Sequence, residues 1–364
     1  MIGSNDIKEP NSRVDHGQTL AVIEKDSIMY SLQAVFIYAL PVVIIFATIE
    51  AFILAFWLKR AYDWRAYCVS MIDGLGRQYV VTPLIGLSLA TPAFDFAIRH
   101  RMVALPLDPW AAGMLLFAGQ EFCYYWFHRC SHRIRWFWAT HAVHHSSNEL
   151  NLSAAYRFGW TGRISGNSVF FAPLIWLGFP PIAVFGVLSL NLLYQFWLHT
   201  EWIPKLGWLE YVLNTPSHHR VHHAANLPYL DANYGGVLII FDRLFGTLTE
   251  ERNNIPCHYG LLKPLRSYNP VWIVFHEWVA MGRDVRQARS WRARFRHMVG
   301  PPGWRPHGQG MTTADLRRIW RARSWRVRYG HIFGPPPCQR PDGQGTRPEA
   351  VHHRRPSQIQ TPAE

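Results

Sequence analysis

The chain has 364 residues and 19 histidines, and its net charge of +13 is concentrated at one end. Residues 283–364 hold 17 Arg and five acidic residues, a net charge of +12, so the rest of the chain is nearly neutral and a nucleic-acid-binding protein is not indicated. Five cysteines without a CxxC motif argue against a disulfide framework or a cysteine zinc ribbon, and predict reduced thiols facing the cytosol.

Apolar runs begin after a polar N-terminal segment, residues 1–28, in which no cleavable signal peptide is evident. The run 35–58 contains one acidic residue and is long enough to cross a bilayer as a helix. The runs 79–94 and 110–127 are shorter, and the second leads directly into His128. We interpret these runs as transmembrane helices; buried helices of a large soluble protein are the alternative.

The fourth run, 169–198, contains no charged residue and is divided by Pro180 and Pro181. A double proline favours a break, so the run predicts a helical hairpin that enters and leaves on the same side of the membrane. If His128 and His199 serve one site, the chain between them must also return to the side that it left. The predicted fold is an all-α integral membrane protein.

The distribution of basic residues indicates how the chain is oriented in the membrane. Residues 59–78 hold four Lys and Arg, against two in 99–109, which places 59–78, the histidine-rich segments and the tail in the cytosol. The arginine-rich tail is suited to anionic lipid headgroups, with RNA binding by the tail as the alternative. Its segment 290–310 recurs at 324–345, and we interpret the tail as a weakly ordered extension at the membrane surface.

Ten of the histidines fall between 128 and 223, in the strings "HRCSH", "HAVHH" and "SHHRVHH" and at the lone His199. Residues four apart share a face of a helix, so the two histidines of the first string converge. The spacing of HxxHH predicts that all three imidazoles lie on one narrow stripe. Thr215 and Pro216 predict an N-cap and a helix start just before the last string.

Imidazole is a neutral ligand that suits iron, zinc, copper and nickel. The one HxxxH and two HxxHH patterns within the three strings hold eight histidines, which exceed the needs of one tetrahedral zinc and are enough for two metal ions. Histidine-rich sites at the mouth of apolar helices indicate redox metals that act on a lipid. Two alternatives stay open: a membrane zinc hydrolase that cleaves a lipid amide or ester, and a non-enzymatic membrane protein that handles metals.

The three strings resemble the HxxxH, HxxHH and HxxHH boxes of the fatty acid hydroxylase/sterol desaturase superfamily, and the resemblance covers roughly residues 110–280. The strings "YYWFHR", "NLSAAYR", "LLYQFWLHTE" and "NYGGVLIIFDRLFGT" are most similar to the alkylglycerol monooxygenase branch and its bacterial relatives. The resemblance implies a membrane-embedded helical fold with a cytosolic histidine-rich cap that binds two non-haem iron ions. It also implies O2 as oxidant, a lipid substrate, and an electron-donor protein or reductant.

Site residues follow from the resemblance. The implied iron ligands are His128, His132, His141, His144, His145, His199, His219, His222 and His223. Further ligands or hydrogen-bond partners of the ligands are expected among His218, Glu121, Glu201 and His276. In the alkylglycerol monooxygenase branch an acidic residue follows the first box, where this chain has Arg133. Use of tetrahydrobiopterin and cleavage of ether lipids are therefore left open.

These observations predict a membrane-bound di-iron oxygenase that uses O2 to hydroxylate or desaturate a sterol, a fatty acyl chain or an ether lipid. The predicted division of the chain is a polar segment at 1–28, N-terminal transmembrane helices at 29–109, a fatty acid hydroxylase/sterol desaturase-like catalytic domain at 110–280, and a basic, partly duplicated tail at 281–364.

Overall fold

A computed structural model describes residues 39–85, 88–102, 107–308 and 310–322. Within these ranges the regular structure is helical, apart from isolated β-bridges. The chain divides into two compact units, Met1–Trp320 and Arg321–Glu364, and the first holds every residue of the site. The polar segment 1–28 and the second copy of the tail repeat lie outside the described residues.

The longer helices follow one another with short connections. In chain order they are α1 (Ala39–Trp57), α2 (Trp64–Leu75), α3 (Thr91–Arg99), α4 (Pro109–Arg133), α5 (Arg135–His141), α6 (Pro181–Phe196), α7 (Pro216–His223), α8 (Pro270–Gln287), α9 (Trp291–Val299) and α10 (313–322). Shorter α-helices are Thr82–Leu84, Gly162–Ser165, Ala172–Trp176 and Ile240–Leu244. π-Helical turns are Ile53–Trp57 and Gly76–Val81, and 3-10 turns are His144–Ser146, Leu152–Tyr156, Asn167–Phe171, Gly207–Tyr211 and Pro306–Gly308.

Proline at the first helical position sets the start of α4, α6, α7 and α8, because its missing N–H would be unpaired there in any case. Asp108 also caps α4, and its Oδ1 accepts from the backbone N–H groups of Trp110 and Ala111. α7 begins at Pro216 as predicted. Thr215 stands at its N-cap position, but its hydroxyl contacts Glu210 and caps no helical N–H group.

Among the described helices, α1 is the one that is long and apolar enough to cross a membrane, with 19 residues and a mean hydropathy of 2.4. Its outer face is exposed and apolar, as at Phe46 and Phe52. The predicted run 79–94 is divided between a π-helical turn and α3, and α4 buries the polar residues Gln120 and Glu121. Among the described residues, α1 is thus the one candidate span by length and composition, and the runs 79–94 and 110–127, interpreted above as transmembrane helices, do not provide another.

The apolar run 169–198 breaks at Pro180 and Pro181 as predicted, which leaves the helical stretch Asn167–Trp176 and α6. Both are too short to cross a bilayer as single helices. They pack with α3 and α4 around a core in which Phe171, Ile175 and Phe185 are almost fully buried. This core stands directly beside the histidine-bearing end of α4.

Part of the segment 281–364 packs on the helical body. α5 packs against α4, α8 and α9. Arg135, at the start of α5, donates to Asp284 Oδ2 of α8 at 2.7 Å, and Arg305 donates to Asp284 Oδ1 at 3.2 Å. In the first copy of the repeat, α9 is therefore helical and packed. The domain boundaries stay predictions.

Candidate metal centre

Nine histidine side chains converge in two groups, and they are the nine that the sequence indicated as ligands. In each group the ligand nitrogens lie within 4.8 Å of one another. The five-histidine group consists of His128, His132, His141, His145 and His222, and the four-histidine group of His144, His199, His219 and His223. His141 is half-buried and the other eight are buried. The sequence predicted enough histidines for two metal ions, and the structure has two histidine groups.

Each HxxHH box is divided between the two groups. In the box 141–145 the first and last histidines enter the five-histidine group and His144 enters the other. In the box 219–223 the first and last enter the four-histidine group and His222 enters the other. The prediction of a single stripe for each box is therefore wrong.

Two local structures produce this division. α5 ends at His141, and a 3-10 turn, His144–Ser146, replaces the expected helix, so the box is not on one regular helical face. α7 is a regular helix, on which His222 and its neighbour His223 are about 100° apart. One short helix can therefore direct imidazoles to two adjacent sites.

The ring nitrogens within each group approach as metal ligands do. In the five-histidine group, His141 Nε2 lies 3.1 Å from His128 Nε2 and 3.2 Å from His145 Nε2. In the other, His199 Nε2 lies 3.3 Å from His144 Nε2 and 3.0 Å from His219 Nε2. For a metal–nitrogen bond of about 2.1 Å and angles between 90° and 109°, neighbouring ligand nitrogens stand about 3.0 to 3.4 Å apart.

Backbone carbonyl groups fix the tautomers of several rings. A carbonyl oxygen only accepts, so each Nδ1 atom within hydrogen-bond distance of one carries the hydrogen. The Nδ1 donors and their acceptors are His128 to Tyr234 O (3.0 Å), His144 to Arg157 O (3.2 Å), His199 to Gln195 O (2.9 Å) and His222 to Ala232 O (2.9 Å).

This pattern leaves bare nitrogen lone pairs pointing at one another. In neutral rings whose Nδ1 donates, Nε2 can only accept, yet Nε2 of His144 and Nε2 of His199 lie 3.3 Å apart. Within the described residues, Nε2 of His132 and Nε2 of His222 are buried without a hydrogen-bond partner. A bound cation satisfies these lone pairs, so the residues fit a metal ion in each group.

Protonation does not relieve the crowding near neutral pH. Burial lowers the pKa of His141 to about 3 and those of His199 and His222 to about 4, and the neighbouring imidazole of His222 adds to the effect at His141 and His199. It lowers the pKa values of the other six ligands well below the usual range for imidazole. The rings are therefore neutral at pH 7, the form that binds metal.

The two glutamates that were expected to orient the ligands lie elsewhere. Glu201 is exposed. Glu121 is buried on α4, accepts from Asn191 of α6, and accepts at Oε2 from the backbone N–H groups of Val237 (2.9 Å) and Leu238 (2.7 Å). It contacts no ligand ring, but it fixes the loop that supplies the carbonyl of Tyr234 to His128.

The remaining candidates belong to neither histidine group. His218 is buried with Nδ1 3.4 Å from the hydroxyl of Thr215, and its own backbone carbonyl accepts from Asn233. His276 lies on α8, where its Nδ1 donates to the carbonyl of Ile273 at 2.8 Å. Both positions point to packing roles.

Asp231 lies beside the five-histidine group and was not among the candidates drawn from the sequence. Its backbone has a positive φ of 54°, and its Oδ1 lies 3.8 Å from His132 Nδ1. Its Oδ2 pairs with Arg133 at 3.3 Å and accepts from the hydroxyl of Thr313. This chain has Arg133 where the alkylglycerol monooxygenase branch has an acidic residue, but a carboxylate from a distant loop lies beside the first box. Sequence alone carried no sign of that approach.

A cavity of about 410 Å³ reaches the metal centre. Its lining includes His128 and His141 of the five-histidine group and His144 and His199 of the other. Much of the remaining wall is apolar, with side chains such as Phe94, Ile98, Phe171, Ile175, Phe185 and Leu192. The cavity therefore has the shape and polarity to bring an alkyl chain to both groups.

Comparisons with known proteins agree with this geometry. Residues 113–247 match the family model for fatty acid hydroxylase. Alkylglycerol monooxygenase from Homo sapiens is 43% identical over 209 residues, which cover 57% of this chain and 46% of that protein. The Danio rerio alkylglycerol monooxygenase is 42% identical over 218 residues, with the same two shares of 57% and 46%. No solved structure matches.

A bacterial relative is more distant. The ornithine lipid hydroxylase of Rhizobium tropici is 29% identical over 143 residues, 38% of this chain and 43% of that protein. The chain spans about half the length of the curated relatives that it matches. All nine histidines of the two groups lie inside the matched region. The resemblance drawn from the three boxes is therefore confirmed: residues 113–247 match the family model for fatty acid hydroxylase.

Proposed function

We propose that the protein is a membrane-bound, O2-dependent lipid oxidoreductase that binds two non-haem iron ions and hydroxylates or desaturates an alkyl chain. The observation that carries the proposal is the largely apolar cavity whose lining includes histidines of both groups. A hydrolase would need one open zinc site, whereas here two closely spaced all-histidine sites face one alkyl-shaped cavity.

Bound iron supplies the redox chemistry that activates O2 for attack on an unactivated C–H bond. The chain's own part is to position and to protect. Phe171 and Phe185 in the cavity wall hold the alkyl chain and exclude water, which preserves a reactive oxidant. The carbonyl groups of Tyr234 and Gln195 fix the orientation of ligand rings in the two groups.

The relatives support a lipid substrate. Their names refer to an alkylglycerol and to an ornithine lipid. We extend to this chain the shared feature, oxidation of a lipid, and leave the bond attacked open among hydroxylation, desaturation and ether cleavage. Electrons come from an external protein or reductant, with tetrahydrobiopterin as one candidate.

The proposed setting is a membrane crossed by α1, with the histidine cap and the basic tail in the cytosol. The apolar exposed face of α1 and the basic residues that follow it support this orientation. Proteolysis of the tail in sealed, oriented vesicles checks it. Cleavage from the lumenal side alone would contradict it.

Metal analysis and turnover test the function together. The purified protein should contain about two irons per chain and consume O2 when supplied with lipid and reductant. His144→Ala and His222→Ala, one from each group, should each abolish iron loading and turnover, while His258→Ala, at an exposed position, should change neither. One zinc per chain with anaerobic turnover would instead identify a hydrolase. Bound metal without lipid turnover would indicate a metal-handling protein.

A further inference from the structure

Three rings of the five-histidine group face one loop, residues 231–234. Two of them, His128 and His222, donate their Nδ1 hydrogens to backbone carbonyl oxygens of this loop. The third ring is that of His132, whose Nδ1 lies 3.8 Å from Oδ1 of Asp231. The loop thus presents two carbonyl oxygens and one carboxylate oxygen to three of the five rings.

The carboxylate of Asp231 stands toward His132 as the two carbonyl groups stand toward the other rings. At 3.8 Å the contact is electrostatic and not a hydrogen bond. It favours the tautomer with hydrogen on Nδ1, and it favours the positive charge that the ring gains when Nε2 binds a cation. Nε2 of His132 is the nitrogen left for a metal ion, since among the described residues it is buried without a hydrogen-bond partner.

Asp231 is held in place by side chains from two distant parts of the chain. Arg133, the neighbour of His132 in sequence, pairs with Oδ2 at 3.3 Å, and the hydroxyl of Thr313 donates to the same oxygen. Arg317 donates to the backbone carbonyl of Asp231 at 3.2 Å. The backbone φ of 54° is left-handed, a conformation that aspartate tolerates better than most residues. With Oδ2 and the carbonyl bonded, Oδ1 is the oxygen nearest the ring.

The tail segment, residues 300–320, leads from α9 back to this loop. It begins at the body of the protein, where the backbone N–H of Arg135 donates to the carbonyl of Gly300 at 2.9 Å. Gly303 and Gly310 then approach so closely that a Cβ atom on either one would overlap with a backbone oxygen. This compact turn brings the start of α10 to the loop.

The start of α10 is capped, and Trp320 near its other end has a partner outside the tail segment. The N–H of Thr312 donates to Oδ2 of Asp315 at 3.1 Å, and the N–H of Asp315 donates to the hydroxyl of Thr312 at 3.3 Å, which is the reciprocal pattern of a capping box. The guanidinium carbon of Arg252 lies 5.9 Å from the centroid of the Trp320 ring. The side chains that contact Asp231 therefore come from a helix that is anchored on both sides of them.

We propose that Asp231 is a positioning residue for His132 and that the tail segment holds it there, so that residues beyond the matched region 113–247 complete the five-histidine site. This inference rests on the proposed function, because it takes the five-histidine group as a metal site. Loss of the Thr313 hydroxyl removes one of the contacts that hold Oδ2 and lets the carboxylate turn away from the ring. The expected consequence is weaker metal binding by one of the two groups.

The affinity of each group for Fe(II) tests the proposal. The full chain is loaded with the iron isotope that Mössbauer spectroscopy detects, and the two groups should give different signals because they differ in ligand number. Competition with a chelator then gives an affinity for each signal. Asp231→Asn should weaken one site at least about tenfold and shift its signal. Thr313→Val should weaken the same site about threefold or more. Neither should change the other signal.

Three further variants serve as controls. Thr313→Ser keeps the hydroxyl and should retain the wild-type affinity. Thr48→Val makes the same replacement in α1, where the hydroxyl contacts that of Tyr67, and should leave both sites unchanged. Arg220→Met identifies the four-histidine signal, because Arg220 binds the backbone just after His199. If Asp231→Asn does not fold, Thr313→Val still tests the proposal, because Thr313 is only half-buried.

The outcomes separate this inference from the proposed function. Unchanged affinity in Asp231→Asn or in Thr313→Val, equal weakening of both sites, weakening of the site that Arg220→Met marks, or a Ser variant as weak as the Val variant each overturns the positioning role. Two irons with lipid-dependent O2 consumption in the wild type would then leave the function intact. The expected weakening of one site in a protein that consumes no O2 with lipid supports the positioning role and overturns the function. Absence of iron from both groups overturns both.

Discussion

The two histidine groups share their ligand-bearing strings but not the parts of the fold that hold them. The five-histidine group is supported by carbonyl groups of the loop 231–234, at Ala232 and Tyr234. The four-histidine group is supported by the end of α6, at Gln195, and by the segment at Arg157. Two adjacent sites can therefore be disturbed separately, although each HxxHH box serves both.

The largest effect is expected on the side of the four-histidine group. Arg220 lies between the histidines of α7 and pairs with Glu251 at 2.8 Å. Its Nη1 also donates to the carbonyl oxygens of Thr200 and Ile203, just after His199. Arg220→Met leaves these partners unpaired and should lower the free energy of unfolding by about 3 to 5 kcal/mol.

Denaturant unfolding, combined with metal analysis, measures this loss. The four-histidine group should lose its metal first, because His199 is no longer tied to α7. Lys263→Met makes the same replacement at an exposed cation and should change stability by less than about 0.5 kcal/mol. A loss below about 1 kcal/mol for Arg220→Met would contradict the role of this arginine.

A smaller loss of stability is expected when the support of the five-histidine group is disturbed. A Cβ atom at Gly236 would lie 2.1 Å from Nδ2 of Asn191, the side chain that donates to Glu121. Gly236→Ala must displace that side chain and should cost about 1 to 3 kcal/mol of unfolding free energy. The loop carrying Tyr234 should then release metal from the five-histidine group.

Gly186 provides the matched control for this substitution. It lies within α6, and a Cβ atom there meets nothing within 4 Å. Gly186→Ala should stabilise the protein by up to about 1 kcal/mol, because alanine favours the helix. Equal destabilisation by both glycine substitutions would show that Asn191 adapts and that its contact is unimportant.

A further expected effect is a pH dependence at Asp242. This carboxylate accepts from the backbone N–H groups of Tyr234 (2.8 Å) and Gly235 (2.7 Å), and burial raises its pKa from 3.8 to about 6. Between those values the folded state binds a proton that the unfolded state has released. The contribution of Asp242 to the free energy of unfolding is therefore greatest below pH 3.8 and declines as pH rises to about 6.

Unfolding measured from pH 4 to pH 7 in the wild type and in Asp242→Asn checks this sign. The difference in stability between them should shift with pH over that window in favour of the Asn variant as pH rises. Asp284→Asn is the control, because the guanidinium of Arg135 holds the pKa of that carboxyl below its usual range. A constant difference for Asp242→Asn across the window would contradict the raised pKa.

The sequence was sufficient for the parts of the structure that depend on local chemistry. Pro180 with Pro181 broke a helix, Pro216 started one, and the histidines spaced four apart joined the same group. Helical periodicity and proline stereochemistry act within a few residues, so they can be read directly from the chain.

What the sequence did not predict depends on contacts between distant segments. The division of each HxxHH box requires the turn after His141 and the approach of α7 to both groups. Carbonyl groups such as that of Tyr234 carry no side-chain signature, so their role could not be anticipated. The apolar composition of 110–127 likewise concealed that Glu121 would be buried and bonded within the fold.

Anomalous diffraction from crystals of the metal-loaded protein, recorded at the iron and zinc absorption edges, tests the central claim most directly. We predict two iron peaks, one bound by the five-histidine group and one by the four-histidine group, with His144 and His222 each on the opposite metal from the rest of its box. A single peak, zinc in place of iron, or one metal bound by a whole HxxHH box would contradict the account.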